Sequence, residues 1–290
     1  MRIATWNVNS VRMREGLVAD WLARGQPDLL LLQEIKCEAG SFPAAAFEAA
    51  GYSAEAVGQK SYNGVAVLSR IPVQVTHRAL PGLPADDAQA RYLEVQAGGI
   101  TVGNLYLPNG NSGGDAGYAY KLAWMELLAA RAKALLDADQ PLVLAGDYNV
   151  CPADEDYAAG TLPPTDALVR PETRARYRAL LWLGLTDAIR AVQPAGPAYT
   201  FWDYQAGAWP RDLGLLQVEW GRVQQLAQRL VAVCHRAFAQ DEPARRRSRD
   251  RHQRDPVGRD GRFQQVTQVR PRQQRPGLRF RRTLVGAAAR

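Results

Sequence analysis

The sequence has few cysteines, no long apolar run and no apolar leader. Its three cysteines, Cys37, Cys151 and Cys234, are widely spaced and odd in number, which argues against a disulfide framework or a zinc cluster. No stretch approaches the roughly 18 uninterrupted apolar residues of a membrane span, and the N-terminus lacks the apolar segment of a secretory signal. We therefore expect free thiols, a reducing cytoplasm and no membrane association.

Basic charge is also scarce in most of the chain. Residues 1–240 carry 21 basic and 24 acidic side chains, whereas residues 241–290 carry 15 arginines, no lysine and 5 acidic side chains. The basic excess behind the net charge of +7 therefore lies at the end of the chain, and it does not indicate nucleic-acid binding by the rest. Apolar residues make up 47% of the sequence, which suffices for a large core and excludes a wholly disordered chain.

Apolar patterning over the first two hundred residues predicts alternating strands and helices, which indicates an α/β protein. Predicted strands cover residues 2–8, 28–34, 63–69, 71–77, 91–96, 100–107, 141–147 and 199–202, and predicted helices cover residues 15–23, 42–50, 118–138 and 174–183. Gly98 and Gly99 separate two of these strands and predict a hairpin turn.

The pattern changes after about Leu216, where the strand signals fail. Beyond Asp241 the sequence is largely Arg, Gln, Pro and Gly, and the arginine block at 245–251 would repel itself in any compact element. We therefore divide the chain into a main domain at 1–215, an atypical segment at 216–240 and an arginine-rich tail at 241–290. We predict that the tail is mostly disordered.

Polar side chains stand at the ends of several predicted strands. They are Asn7, Glu34, Tyr106, Asp147 and Asn149. In an α/β sandwich such strand ends and their loops meet at one rim, where reacting groups collect. Carboxylates there suit Mg²⁺ or Mn²⁺, which take one or two carboxylates and keep waters. The amides can orient a nucleophilic water, and the phenol can donate to a developing phosphoryl oxyanion.

Three of these residues also have an ordinary structural interpretation. Glu34 could be a solvated strand end, Asp147 a turn residue in Gly-Asp-Tyr-Asn, and Tyr106 a strand tyrosine before a Pro-Asn-Gly turn. Cys37 and Cys151 are interpreted as packing residues, because nothing adjacent in the sequence marks them as low-pKa thiolates.

Seven segments that include these positions carry more information together than singly. In order, they resemble the signature segments of the endonuclease/exonuclease/phosphatase superfamily, and most of all its exonuclease III branch of apurinic/apyrimidinic endonucleases. The segments are TWNVNSVR (5–12), PDLLLLQEIKC (27–37), YNGVAVLS (62–69), NLYLPNG (104–110), LAGDYN (144–149), GLTDA (184–188) and YTFWDY (199–204).

The resemblance implies a four-layer α/β sandwich of two packed sheets covered by helices. It implies a metal site of Mg²⁺ or Mn²⁺ at Asn7, Glu34, Asp147 and Asn149, with Tyr106, Asp147 and Asn149 as catalytic residues. Asp147 would orient or deprotonate the attacking water, and Tyr106 would stabilise phosphoryl charge.

The same resemblance implies a substrate and the residues that bind it. The substrate would be double-stranded DNA with abasic sites or 3′ ends, cleaved by a monomeric enzyme. Phe201 and Trp202 match the segment that reaches the minor groove and the abasic sugar, and Arg91 matches a residue near the DNA backbone.

The resemblance ends after Leu215. The family continues with an Arg-Ile-Asp strand and later a Ser-Asp-His loop, but Val218 stands where the aspartate is expected, and the chain contains no Asp-His dipeptide. His235 and His252 have neighbours that do not match. Loss of those last strands would expose sheet edges and apolar faces, which predicts reduced stability.

Two origins and three functions stay open at this point. The chain is either a divergent, impaired homologue or the product of a frame shift near codon 216. Its function is that of a repair nuclease, of a catalytically weak DNA-binding homologue, or of a relative acting on phosphoinositides or sphingomyelin. The last is disfavoured because the segments at 104–110 and 199–204 look like the exonuclease III branch.

Overall fold

A computed structural model describes residues 1–202, 214–215 and 231–234, with side chains up to residue 200. The predictions for Val218, for the two later histidines and for the tail at 241–290 fall outside the described residues, as does most of the segment at 216–240. No helix within the described part has the length and apolar character needed to cross a membrane.

The described residues form eleven strands, which five α-helices connect. The strands are β1 (Arg2–Asn7), β2 (Leu29–Gln33), β3 (Ser53–Val57), β4 (Val65–Ser69), β5 (Val73–His77), β6 (Tyr92–Ala97), β7 (Ile100–Tyr106), β8 (Leu142–Asp147), β9 (Phe201–Trp202), β10 (Gly214–Leu215) and β11 (Val231–Cys234). The helices are α1 (Glu15–Gly25), α2 (Ala44–Glu48), α3 (Gly114–Asp137), α4 (Pro171–Trp182) and α5 (Ala188–Val192).

These strands form two mixed sheets and a separate pair. The first sheet has the order β11-β1-β2-β4-β3, and the second has the order β5-β6-β7-β8. In the first sheet β1 runs parallel to β2 and to β11, while β4 runs antiparallel to its neighbours. In the second, β7 and β8 are parallel. Strands β9 and β10 pair antiparallel.

Side-chain alternation along the strands builds the layers. One face of the first sheet and one face of the second share an apolar cluster that includes Leu31, Val67, Val102 and Val143. The opposite face of the first sheet packs on α1 and α2, and the opposite face of the second sheet packs on α3 and α4. The predicted α/β sandwich of two packed sheets between helices is therefore confirmed.

The predicted elements agree with the structure, apart from their ends and the omission of β3, α5, β10 and β11. Helix α4 begins at Pro171, earlier than predicted, because proline suits the first helical turn. Strand β3 and helix α5 are short and only partly buried, so they lack a clear apolar pattern. The expectation that strands fail after Leu216 is wrong for β11, a Val-Ala-Val-Cys run that lies beside β1.

A buried carboxylate joins the second sheet to α3. Glu94 on β6 is fully buried, and its Oε1 accepts hydrogen bonds from Thr76 at 2.7 Å and Arg131 at 2.7 Å. Its Oε2 accepts from the Tyr92 hydroxyl at 2.8 Å and from Arg131 Nε at 3.0 Å. His77 lies in the same network, 2.9 Å from Glu94 Oε1. Burial alone would raise the pKa of Glu94, but these hydrogen bonds outweigh it and lower the pKa to about 2.

This network predicts a specific loss of stability in acid. Because the pKa of Glu94 is lower in the folded chain than its ordinary value of 4.5, its contribution is present above pH 4.5 and is lost as the pH falls toward 2. The contribution is on the order of 3 kcal/mol. Urea unfolding across this range should show that Glu94→Gln is less stable than wild type at pH 7 and that the difference shrinks in acid.

A surface ion pair of α3, the helix that carries Arg131, provides the control. Glu126 pairs with Arg176 at 2.7 Å, but its side chain is 64% exposed, so Glu126→Gln should change stability little at any pH. If the Glu94→Gln and wild-type stabilities ran parallel from pH 7 to pH 2, Glu94 would not be the group responsible.

Candidate active site

Four strands from both sheets end at one place in the cleft between the sheets. Asn7, Tyr106 and Asp147 are the last residues of β1, β7 and β8, and Glu34 directly follows β2. The register pairs Asn7 with Gln33 and Tyr106 with Asp147. Because these paired strands are parallel, their carboxyl ends coincide. The predicted convergence of these side chains is present in the structure.

One amide group links the two carboxylates. Asn7 Nδ2 donates to Glu34 Oε1 at 2.7 Å and to Asp147 Oδ2 at 2.9 Å. Asn7 Oδ1 faces away from them and accepts from the backbone N–H of Asn9 at 3.1 Å. In this orientation Asn7 holds a carboxylate from the first sheet against a carboxylate from the second.

Burial changes the acid–base properties of two residues here. Asp147 is 2% exposed, and burial together with the nearby Glu34 raises its pKa to about 6, against the lowering effect of hydrogen bonds from Asn7 and Asn149. Burial also raises the pKa of Tyr106, and the charges of Glu34 and Asp147 add to that effect. Tyr106 therefore remains a protonated phenol at neutral pH, and the pKa of Asp147 lies closer to neutral pH than that of an ordinary aspartate.

Unusual backbone conformations set the directions of these side chains. Glu34 has φ 52° and Asn149 has φ 48°, both in the left-handed region, which is strained for a glutamate. The loop that follows β1 holds the turn, since Glu34 O accepts from Ser10 N at 2.7 Å. Gly146 precedes Asp147 at φ 136°, and a Cβ there would collide with the carbonyl oxygen of Leu105.

The Asn149 amide is fixed on both sides. Its Nδ2 donates to Leu107 O at 2.8 Å, and its Oδ1 accepts from Asn109 Nδ2 at 3.0 Å. Its backbone N–H donates to Asp147 Oδ1 at 2.9 Å. Asn149 is therefore oriented before any substrate binds. A role for Asn109 was not predicted, although this residue lies in the NLYLPNG segment.

A buried lysine supports the loops that carry Asn109, after β7, and Asn149, after β8. Lys121 on α3 is fully buried, and its Nζ donates to the carbonyl oxygens of Asn109 at 3.0 Å and Asn149 at 2.6 Å. Burial lowers the pKa of Lys121 to about 7, against the opposing attraction of Asp147 and Asp166. Lys121 was not predicted as a site residue, because a lysine within an amphipathic helix pattern reads as a solvent-facing residue.

Two further cations lie at the edge of the cluster. Lys36 Nζ forms an ion pair with Glu34 Oε2 at 2.9 Å and also donates to Asn9 Oδ1. The guanidinium of Arg91 stacks over the Tyr106 ring, 4.9 Å from its centroid, and donates to Tyr106 O at 3.2 Å. The structure thus places the predicted Arg91 beside the cluster and adds Lys36, which sequence reasoning missed.

The donor set fits a hard divalent cation. No three His, Cys, Asp or Glu side chains form a metal-binding group in the described ranges. Mg²⁺ and Mn²⁺ need fewer, because Mg²⁺ commonly takes one or two carboxylates and keeps several waters. Glu34 and Asp147 supply carboxylate oxygens from opposite walls of the cleft, and Asn7 brings them together.

The predicted DNA-contacting aromatics cannot be related to the cluster. Phe201 and Trp202 form β9, whose backbone pairs with Leu215 and Gly214 of β10. Their side chains are not among those described, so their part in the site stays a prediction.

Fold and site together define an α/β sandwich with an acidic, amide-rich cluster between its sheets. Residues 4–216 match the model of the Endonuclease/Exonuclease/phosphatase family. The chain belongs to this family, and the resemblance inferred from the sequence segments is confirmed.

Individual relatives agree with this assignment. The chain is 32% identical over 248 residues to exodeoxyribonuclease III of Haemophilus influenzae, a match covering 80% of this chain and 91% of the relative. Among solved structures, it resembles the 3′ phosphatase NExo from Neisseria bound to a product DNA hairpin, with a TM-score of 0.73, 35% identity and coverage of 82% and 94% of the two chains. It also resembles an AP endonuclease from Archaeoglobus fulgidus, with a TM-score of 0.70, 35% identity and coverage of 76% and 85%.

The buried lysine predicts an alkaline gain in stability. Lys121 has a pKa of about 7 in the folded chain against an ordinary value of 10.5, so the unfolded chain binds more protons between these values. The free energy of unfolding therefore rises with pH in that window. Urea titrations should show that wild type gains on the order of 2–4 kcal/mol relative to Lys121→Met between pH 7 and pH 10.

Lys133→Met is the matched control for this measurement. Lys133 lies on the same helix, but its side chain is 61% exposed, so its removal should leave the pH dependence of wild type intact. An equal alkaline gain in Lys121→Met and wild type would show that Lys121 carries its proton in the folded chain.

Proposed function

We propose that the chain is an exodeoxyribonuclease III-like DNA repair nuclease that depends on a divalent metal. It would hydrolyse phosphodiester bonds at abasic sites and 3′ ends of duplex DNA. The observation that carries the proposal is the cluster in which Asn7 joins Glu34 to Asp147 across the two sheets. The printed names of the relatives, an exodeoxyribonuclease, a 3′ phosphatase and an AP endonuclease, support the substrate class.

Glu34 and Asp147 would hold Mg²⁺ or Mn²⁺, with the amides of Asn7 and Asn149 beside them. A bound divalent cation polarises the phosphate and steadies the leaving oxygen. Asn7 keeps both carboxylates turned toward the cleft. Lys36 neutralises part of the charge of Glu34, so the two acidic groups can lie together before metal binds.

The proton chemistry falls to Asp147 and Tyr106. Asp147, whose pKa burial raises to about 6 in the metal-free chain, would orient the attacking water or take a proton from it. Asn149, fixed by Asn109, orients that water and the phosphate. Tyr106 keeps its proton because burial raises its pKa, so the phenol can donate to a non-bridging phosphate oxygen as negative charge grows there.

The proposal extends to the DNA contacts, the domain bounds and the cellular setting. Arg91 at the rim of the cluster would contact the DNA backbone, and Phe201 and Trp202 would contact the groove. The domain would extend over residues 1–215, in keeping with the family match over residues 4–216. A reducing cytoplasm is supported by Cys37 and Cys151, which are buried free thiols, and the monomeric state is proposed from the resemblance to the exonuclease III branch.

A second candidate is a DNA-binding homologue with weak or no catalysis. It is favoured by one feature of the sequence, the presence of Val218 and the absence of an Asp-His pair where the family pattern has acidic and histidine groups. Groups that act as a unit lose most of their effect when one is removed, often 10³-fold or more. On this basis we propose that the chain as written turns over poorly.

Cleavage of an abasic duplex, with and without Mg²⁺, tests the main proposal. We expect Mg²⁺-dependent incision that falls by about 10²–10⁴-fold in Asp147→Asn, because the base is removed without a change of volume. Glu34→Gln should fall similarly through loss of a metal ligand. Glu38→Gln, an exposed change on the same loop, is the control. Gel-shift binding without cleavage by wild type would favour the second candidate, and unchanged turnover in Asp147→Asn would remove that residue from the mechanism.

Rebuilding the end of the chain tests the impairment. A chain that continues after Leu215 with an Arg-Ile-Asp strand and a Ser-Asp-His loop should cleave the abasic duplex at least about 10³-fold faster than the chain as written. Reading the gene in its alternative frames separates the two origins, because a frame shift predicts that one of them encodes these segments. Equal turnover of the two chains would show that the missing groups are not needed.

A further inference from the structure

A layer of buried polar side chains lies directly beneath the site. Thr5 and Asn104 precede Asn7 and Tyr106 by two residues on β1 and β7, so each shares a face of its strand with the site residue. Gln33 is the last residue of β2 and directly precedes Glu34. Gln33 and Asn104 are fully buried and Thr5 is 5% exposed. They form one polar row in a cleft that is otherwise apolar.

Hydrogen bonds within this layer run from one sheet to the other. Gln33 Nε2, on the first sheet, donates to Asn104 Oδ1, on the second, at 2.8 Å and to Thr5 Oγ1 at 3.0 Å. Asn104 Nδ2 in turn donates to two backbone carbonyl oxygens of the first sheet, Leu32 O at 3.1 Å and Ala66 O at 2.8 Å. A side chain of the second sheet is thus anchored to the backbone of two strands of the first.

Stability alone does not account for such a layer. Buried amides lose hydration and need every hydrogen bond merely to offset that loss, whereas apolar side chains of similar volume would pack without this requirement. Directional hydrogen bonds, however, fix a relative position that apolar contacts between two sheets leave free to slide. The layer therefore specifies geometry in a way that the surrounding Leu and Val side chains do not.

The layer lies where the relative position of the two sheets determines whether the site residues meet. Strands advance by about 3.3 Å per residue, so a slide of even one residue would separate groups that meet through single hydrogen bonds. Asn7 lies on the first sheet and Asp147 on the second, and their contact spans 2.9 Å. Beneath this contact, Gln33 and Asn104 supply directional ties between the two sheets.

We propose that Gln33 and Asn104 are a positioning pair that sets the offset of the two sheets and so brings Glu34 and Asn7 against Asp147. The pair touches neither substrate nor metal and acts through the residues that follow it on each strand. Its importance for catalysis rests on the proposed function, but the positioning itself can be measured without any activity.

The test is the double variant Gln33→Met/Asn104→Leu, which removes both amides with little change of volume and leaves no side-chain amide of the pair buried without a partner. The matched control is Thr101→Val on the same strand β7, which is also buried and loses one hydrogen bond from Gln96. Thr101→Val should melt within about 5 °C of wild type, and the double variant should melt lower, because Leu32 O and Ala66 O lose the donor that Asn104 supplied. In crystal structures, the double variant should have Asn7 and Asp147 beyond hydrogen-bond distance, while Thr101→Val should retain their contact.

Mn²⁺ binding, followed by the loss of the free-ion electron paramagnetic resonance signal, gives a second readout. Affinity should fall about 10–100-fold in the double variant, as it does when outer residues around a metal site are changed, and stay at the wild-type value in Thr101→Val. On abasic DNA, kcat should fall by a similar factor while KM changes less than about two-fold, because the DNA-binding surface is untouched.

The outcomes separate the two proposals. A retained Asn7–Asp147 contact with unchanged Mn²⁺ affinity in the double variant would overturn the positioning role. If wild type cleaves no abasic DNA, the proposed function fails, yet the crystal structures and the Mn²⁺ titration still decide the positioning role. If the double variant does not fold, Gln33→Met alone replaces it, because it deletes the Gln33–Asn104 hydrogen bond between the sheets and leaves Asn104 Nδ2 with its two carbonyl partners. An unchanged contact and affinity in Gln33→Met would then count against the layer.

Discussion

The amide group of Asn7 is the interaction on which the site depends. Two carboxylates that approach each other in a buried cleft repel, and one of them tends to take up a proton. Asn7 Nδ2 offers a donor to each of them at once, while Lys36 balances the charge of Glu34 from outside. The pair can therefore exist without metal, although burial, and to a smaller extent the charge of Glu34, raises the pKa of Asp147.

The rest of the fold keeps that amide in place. Strands β1 and β2 fix Asn7 and Glu34 on the first sheet, and the polar layer beneath them ties this sheet to the second. Farther out, Lys121 holds the two loops after β7 and β8 through their carbonyl oxygens. Glu94 then anchors α3, which carries Lys121, onto the second sheet through Arg131. Successive layers of buried polar contacts thus lead from the helix to the cleft.

Much of the cluster could be predicted from the sequence, because strand-end polar residues stand out against apolar runs. Asn7, Glu34 and Asp147 were recognisable in this way. Lys121, Asn109, Gln33 and Asn104 were not, since their roles arise only when a helix or a second sheet is folded against them. From the sequence alone, a buried lysine in an amphipathic helix or a glutamine at the end of a leucine run cannot be distinguished from a surface residue. Strand β11 was missed for a related reason, as its short apolar run gains meaning only beside β1.

The left-handed backbone at Glu34 and Asn149 affects how substitutions at these positions should be interpreted. At such φ values glycine is unstrained, asparagine and aspartate are tolerated, and β-branched residues are excluded. A valine at position 34 would therefore disturb the turn as well as the chemistry, and its loss of function would report on both. Glycine at position 149 would relax the backbone while deleting the amide, so folding and chemistry would change in opposite directions. In a saturation scan, these two positions would look intolerant for reasons that only paired measurements of stability and turnover can separate.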